Sequence, residues 1–164
     1  MTVRDCLTNA ILLEDGARKL YEELARRHAP DSALQAFFTA MALEEEQHAA
    51  RLLSLARHLE PEELDAESPA RLTESMSSME KEMAAIVEED ARLGPGGLAS
   101  ILQRLVDFEN WYTCVHAEDL CDLFAPKLKP IFASLAEQDR THHELVDRAR
   151  RALSQLRVGE RATP

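Results

Sequence analysis

The sequence predicts an all-α fold, a four-helix bundle with a long helical crossover between helices 2 and 3. Three observations support this fold class. The chain has 164 residues, of which 45% are hydrophobic, enough for one domain with a sizeable core. It is poor in aromatic residues and has only 5 glycines, a composition that favours helices over sheets. Apolar residues also recur at helical spacing in long segments of the chain.

The four main helices are predicted between residues that break or begin helices. The first two span residues 2–28 and 32–59, separated by a proline and capping residues. The third spans residues 98–123, directly after the glycine-rich breaker at 94–97, and the fourth spans residues 130–156, beginning at a proline. Two helical hairpins joined by one long connection form a standard bundle topology.

The connection between the hairpins is predicted to contain an accessory helix over residues 68–93, with a thin apolar stripe. We interpret its acidic run, Glu88-Glu89-Asp90, as a solvated face. The bundle is assigned to residues 1–157, and residues 158–164 are predicted to be a frayed tail.

Charge and cysteine content limit the partners and the location that we expect. The net charge of -11 argues against nucleic acid, because an acidic protein gains nothing from the phosphate backbone. No apolar run approaches the roughly 20 residues that span a bilayer, and we find no signal peptide.

Cys6, Cys114 and Cys121 lack C-x-x-C spacing, so we expect free, buried thiols. This pattern is typical of a reducing compartment and favours a cytoplasmic location.

Two carboxylate-x-x-histidine pairs are the main candidates for a functional site. Glu45 and His48 lie three residues apart in the second helix, and Asp139 and His142 have the same spacing in the fourth. Such residues share one helix face. The residues that precede each pair align without a gap, Phe with Phe, Met with Leu and Ala with Ala, so the two segments indicate an internal repeat of one half-site.

The apolar spacing around both pairs predicts that they face the bundle interior. A carboxylate in a core is costly unless it is paired or binds a cation, and divalent metals can satisfy both pairs together. Glu14 in the first helix and Glu109 in the third complete the set, with Asp107 and Glu118 as alternatives to Glu109. One glutamate from each of two helices, with a carboxylate-x-x-histidine pair from each of the others, is the arrangement of di-iron and di-manganese proteins. Oxygen and imidazole ligands suit iron, manganese or zinc.

These motifs resemble the rubrerythrin-like branch of the ferritin-like di-iron carboxylate superfamily. Glu14 with Ala17 and Tyr21 is similar to the family's first-helix motif, MALEEEQHAARL to its second-helix motif, and residues 135–146 to its fourth. The resemblance spans about residues 6–153. It implies a ferritin-like bundle that binds two iron ions, with zinc or manganese as alternatives.

The resemblance also implies a role for each ligand. Glu45 and Asp139 would bridge the two metals, while Glu14 and Glu109 would be terminal ligands. The two histidines, His48 and His142, would each cap one metal.

The chemistry implied is that of a non-haem oxidoreductase involved in oxidative stress, peroxidase-like or ferroxidase-like, acting on peroxide or dioxygen. These 164 residues contain three cysteines, fewer than the four of the family's rubredoxin module, so we expect that module to be absent and an external electron donor to be required. Asp139 stands where the family usually has glutamate, which weakens bridging. Tyr112 replaces the additional third-helix glutamate of peroxidase-type members. These departures keep two alternatives open, a metal-binding or storage module without turnover and a helical interaction protein with a degenerate site. A homodimer is also expected, since two-fold assemblies are the commonest.

Several nearby side chains have alternative interpretations. A one-residue register slip would exchange the roles of His142 and His143. Tyr21 and Tyr112 either donate hydrogen bonds to ligand carboxylates or pack in the core. Three further histidines are expected at the surface or at helix caps: His28, His58 and His116. His116, which lies two turns after Glu109, has the alternative role of supporting a metal ligand.

Overall fold

A computed structural model of the chain describes residues 2–57, 59, 70–115 and 129–161. Across these ranges the regular structure is helical and includes no strand, which confirms the predicted all-α bundle. Within the same ranges, no helix is both long enough and apolar enough to cross a membrane.

The first hairpin consists of α1 (Val3–Arg27) and α2 (Ser32–Ala56), which pack against each other. Thr2 begins α1 in a capping box with Asp5, in which each side chain bonds the other residue's backbone N–H. Asp31 begins α2 by accepting hydrogen bonds from two backbone N–H groups at the start of the helix. The second helix therefore begins where predicted, and it ends at Ala56 instead of residue 59.

The crossover contains α3 (Ala70–Leu93), which packs against α1 and the following main helix. Its thin apolar stripe is a buried face, formed by Met76, Met79, Met83 and Ile86. Gly16 of α1 makes room for this face, because a Cβ atom there would lie 2.8 Å from the Met83 Cε atom. The accessory helix thus contributes to the same core as the bundle.

The second hairpin consists of α4 (Leu98–Cys114) and α5 (Lys129–Arg161), which also pack together. A short 3-10 turn at Gly94–Gly97 precedes α4 and confirms the predicted breaker. Gly94 has a φ of 60°, a conformation that favours glycine. The fourth helix extends beyond its predicted end at residue 156, while the domain division at residue 157 stays a prediction.

The prediction that the whole acidic run of α3 is solvated is wrong for Asp90. This residue is 3% exposed, because it falls at helical spacing from Met83 and Ile86 on the buried stripe. The Asp90 Oδ1 atom lies 3.1 Å from Nε2 of His28, which occupies the C-cap of α1 and is itself buried. His28 is therefore a capping residue, as one interpretation held, but it does not lie at the surface.

Of the two cysteines that the structure describes, one is buried as expected and one is not. Cys6 is buried in the core, whereas Cys114 is exposed, at the end of the described part of α4. Other residues named above lie outside the described residues: His58, His116, Glu118 and Cys121.

Candidate metal centre

The interior of the bundle contains a cluster of acidic and imidazole side chains contributed by four helices. Each member is at most 2% exposed: Glu14 from α1, Glu45 and His48 from α2, Glu109 from α4, and His142 from α5. These are five of the six predicted ligands. The sixth, Asp139, lies on α5, and its side chain is outside the described residues.

The helix periodicity accounts for this burial. Each of the four contributing helices carries a candidate ligand one turn from a buried apolar residue: Glu14 from Ala17, Glu45 from Met41, Glu109 from Leu105, and His142 from Val146. When the apolar faces pack, the polar side chains on the same faces enter the interior with them.

The cluster divides into two half-sites that share Glu45. The Nδ1 atom of His48 lies 3.2 Å from Glu45 Oε2 and 3.6 Å from Glu14 Oε2. The Nδ1 atom of His142 lies 3.1 Å from Glu45 Oε1 and 3.8 Å from Glu109 Oε2. Each oxygen of Glu45 therefore faces a different histidine, and the two rings stack with centroids 5.3 Å apart.

The carboxylates control the protonation of both imidazoles. Burial alone would lower the histidine pKa values, because it disfavours the charged form. Against that effect, Glu14 and Glu45 raise the pKa of His48 to about 10. Glu45, with smaller contributions from Glu109 and Glu44, raises the pKa of His142 to about 9. Without a metal, both imidazoles are therefore protonated at neutral pH.

The donor atoms fit a bound cation. Among the described residues, the buried atoms Glu45 Oε2 and His142 Nδ1 have no hydrogen-bond partner, although ion-pair contacts surround them. An unsatisfied buried polar group costs about 1–3 kcal/mol. Ligand atoms of Glu45, His48 and His142 all lie within 4.8 Å of one another, close enough to hold a metal ion. A divalent metal would satisfy these atoms and replace the imidazole protons.

Comparison with known proteins identifies the family. A family model described as Rubrerythrin matches residues 5–92, more than half of the chain. The chain belongs to the rubrerythrin family. The matched range includes Glu14, Glu45 and His48, while Glu109 and His142 lie outside it and are brought to the site by the fold. Searches of curated proteins and of solved structures gave no match.

Membership of the rubrerythrin family confirms the ferritin-like helical bundle and implies that the domain binds metal, typically iron. The buried glutamate and histidine cluster provides metal-ligand side chains of the expected types. The comparisons thus support the kind of site independently of the distances described above.

The register of this rubrerythrin-family bundle places His142 in the interior. His142 is fully buried, whereas His143 is only half-buried. On α4, Glu109 is buried, while Asp107 is exposed and accepts a hydrogen bond from the side chain of Gln103 at 3.1 Å. The alternatives His143 and Asp107 are therefore not part of the cluster.

Both tyrosines near the cluster are buried, and one of them contacts a candidate ligand. The hydroxyl of Tyr21 donates a hydrogen bond to Glu109 Oε1, as one interpretation of this residue predicted. Tyr112 is 2% exposed, and its ring lies 5.4 Å from the ring of Phe108. Tyr21 thus links α1 to α4 through a hydrogen bond to the Glu109 carboxylate.

Sequence reasoning missed Glu44. Its Oε2 atom forms a hydrogen bond with Nε2 of His142, on the side of the ring opposite to the cluster. Glu44 stands in a run of three glutamates, and nothing in the local pattern of α2 distinguishes it from the exposed Glu46. The contact joins residues 98 positions apart in sequence, so the three-dimensional structure is needed to reveal it.

Proposed function

We propose that this protein binds two iron ions between its four main helices and uses them to reduce peroxide or to oxidise ferrous iron with dioxygen. The observation that carries the proposal is the division of the cluster into two half-sites around Glu45. One carboxylate with an oxygen facing each histidine is suited to bridging two metal ions.

In this proposal each of the four main helices contributes at least one side chain to the metal centre. Glu14 and His48 hold one metal, Glu109 and His142 hold the other, and Glu45 joins them, as Asp139 would by the family resemblance. Tyr21 keeps Glu109 oriented, and the surrounding buried side chains limit access of water. When bound, a ferrous pair supplies two electrons, one from each ion, to an oxidant.

Reduction of one hydrogen peroxide molecule consumes two electrons and two protons. The O–O bond of one hydrogen peroxide molecule breaks, and two water molecules form. An external reductant, an electron-transfer protein or a small reducing agent, returns the two electrons for the next turnover. This donor, the cytoplasmic location and the homodimer remain predictions.

The proposal can be tested by anaerobic ferrous loading followed by addition of peroxide. We expect two iron ions per chain and rapid oxidation that is followed by absorbance. His142→Ala should remove at least one iron and slow the oxidation, whereas His143→Ala is a matched control that changes a half-buried histidine next to it. A stoichiometry below two in the unaltered protein, or equal behaviour of the two variants, would refute the proposal.

A second candidate is a metal-binding or storage module without turnover, with zinc as the alternative metal to iron. Tyr112 favours it, because this buried phenol stands where peroxidase-type relatives have an additional glutamate. Elemental analysis of the native protein, combined with steady-state peroxide reduction in the presence of a reductant, separates the two candidates. Zinc in the native protein and no turnover of the iron-loaded protein would favour the module without turnover.

A further inference from the structure

The His142 ring connects the buried cluster with the protein surface. Its Nδ1 atom faces Glu45 at 3.1 Å and Glu109 at 3.8 Å. Its Nε2 atom forms a hydrogen bond with Glu44, whose side chain is 44% exposed, whereas His142 itself is fully buried. The two ring nitrogens of His142 therefore contact carboxylates on opposite sides.

A carboxylate can only accept a hydrogen bond, so the Nε2 atom of His142 must carry the proton in this contact. In the neutral ring, the lone pair then belongs to Nδ1, which is the nitrogen that faces the cluster. We propose that Glu44 is a positioning residue, which fixes this tautomer and orientation of His142 and so reserves Nδ1 for a metal ion. The inference rests on the proposed metal centre and adds a residue to it.

The internal repeat places a different residue type at the position that matches Glu44. The position that matches Glu44 in the second copy of the repeat is Gln138, which lies four residues before His142, as Glu44 lies four residues before His48. Gln138 carries no charge, and its Oε1 atom accepts a hydrogen bond from Arg51. The Glu44 carboxylate thus contacts Nε2 of His142, while the matching position in the second copy of the repeat holds the amide of Gln138. Glu44 should therefore affect mainly the metal that His142 binds.

The effect should be measurable as a loss of affinity for one of two metals. Changes to groups that orient a ligating histidine typically cost about 10- to 100-fold in metal affinity. We expect Glu44→Ala to weaken one of two Zn²⁺ ions by about this factor and to leave the other nearly unchanged. Glu44→Gln should lose less, because its amide oxygen can still accept the Nε2 proton.

The experiment combines zinc titration against a chromophoric chelator with native mass spectrometry for stoichiometry. Glu46→Ala is the matched control, since it removes the same charge from an exposed site of the same helix. Nitrogen-15 NMR of the zinc-loaded protein reports the tautomer directly, and we expect the proton of His142 on Nε2. Circular dichroism confirms that each variant folds.

The outcomes separate this inference from the proposed function. Equal losses in Glu44→Ala and Glu46→Ala, or a proton on Nδ1 of His142 in the loaded protein, would overturn the positioning role. If the unaltered protein binds no Zn²⁺ and no ferrous iron, the proposed metal centre fails. The Glu44 contact is then judged in the metal-free protein by the hydrogen-bonded Nε2 proton of His142. This resonance should be present in the control and lost in Glu44→Ala, and its presence in both would refute the contact.

Discussion

Replacing Glu45 with glutamine should have the largest effect of any single change at the cluster. Glutamine keeps the size of the side chain and removes its charge. In the structure, Glu45 is 1% exposed and contacts the Nδ1 atoms of both His48 and His142. One substitution therefore acts on both half-sites at once.

The contact distances give the magnitude. A carboxylate and an imidazolium about 3.2 Å apart attract each other by about 5 kcal/mol at an effective dielectric constant of about 20, and desolvation of the buried pair offsets part of this attraction. Nearby opposite charges typically shift a pKa by about 1–3 units. We therefore expect the pKa of His48 to fall from about 10 and that of His142 from about 9, each by about 1–3 units in Glu45→Gln. In this variant Glu14 still raises the pKa of His48.

Metal binding should be weakened more than the pKa values alone suggest, because a shared ligand is lost. Loss of an orienting group costs about 10- to 100-fold, so loss of the bridging carboxylate should cost more than about 100-fold for at least one metal. NMR titration of the histidine resonances and zinc competition titrations measure the two effects, with Glu46→Gln as the control. Unchanged pKa values together with two tightly bound metals in Glu45→Gln would refute the assignment of Glu45 to both half-sites.

Three further predictions concern the surroundings of the cluster. The metal-free protein should lose stability as the pH rises from about 6.5 to about 10. The folded-state pKa of His48 is raised, so its stabilising charge interactions are fully present below the ordinary histidine pKa and are lost as the pH rises through the folded-state pKa. A melting temperature that stays constant over this range would contradict the prediction. Tyr21→Phe should weaken metal binding by about 10-fold, because Glu109 loses a hydrogen-bond donor. Zinc competition titration measures the loss, and an unchanged affinity would argue against the role of Tyr21 in orienting Glu109. Asp90→Ala should lower the free energy of unfolding by about 1–3 kcal/mol, since it leaves the buried His28 without this partner. Chemical denaturation measures the change, and a loss well below this range would show that the Asp90–His28 contact does not stabilise the fold.

Most of the fold could be predicted from the sequence because its signals are local. Prolines, glycines and capping residues mark where helices begin and end, and α2 begins at the predicted Ser32. The cluster was also predictable, because each ligand interrupts an apolar stripe whose direction the helical period fixes. Five predicted ligands are indeed buried together, and Glu45 is the point where their contacts meet.

The remaining features depend on contacts between distant parts of the chain. Glu44 and Glu46 belong to the same run of three glutamates on α2, and the position of His142 on α5 reveals which of them contacts the cluster. Asp90 was predicted to be solvated because acidic runs usually are, whereas its spacing from Ile86 places it on the buried face. Counting the helical period strictly along α3 would have predicted that Asp90 is buried, but no local signal identifies its partner His28.

The charge balance of the cluster links the stability of the bundle to its metal. By the sequence prediction, four carboxylates, including Asp139, and two imidazoles belong to the site. Two protonated imidazoles offset only two of the four negative charges, and uncompensated charge in an interior is costly. Two divalent ions with neutral imidazoles would make the same set electroneutral. Ligands that bind only the native state stabilise it by about 2.7 kcal/mol at 100 times their Kd. A chelator should therefore lower the melting temperature of the loaded protein, and an unchanged melting temperature would favour a helical interaction protein with a degenerate site.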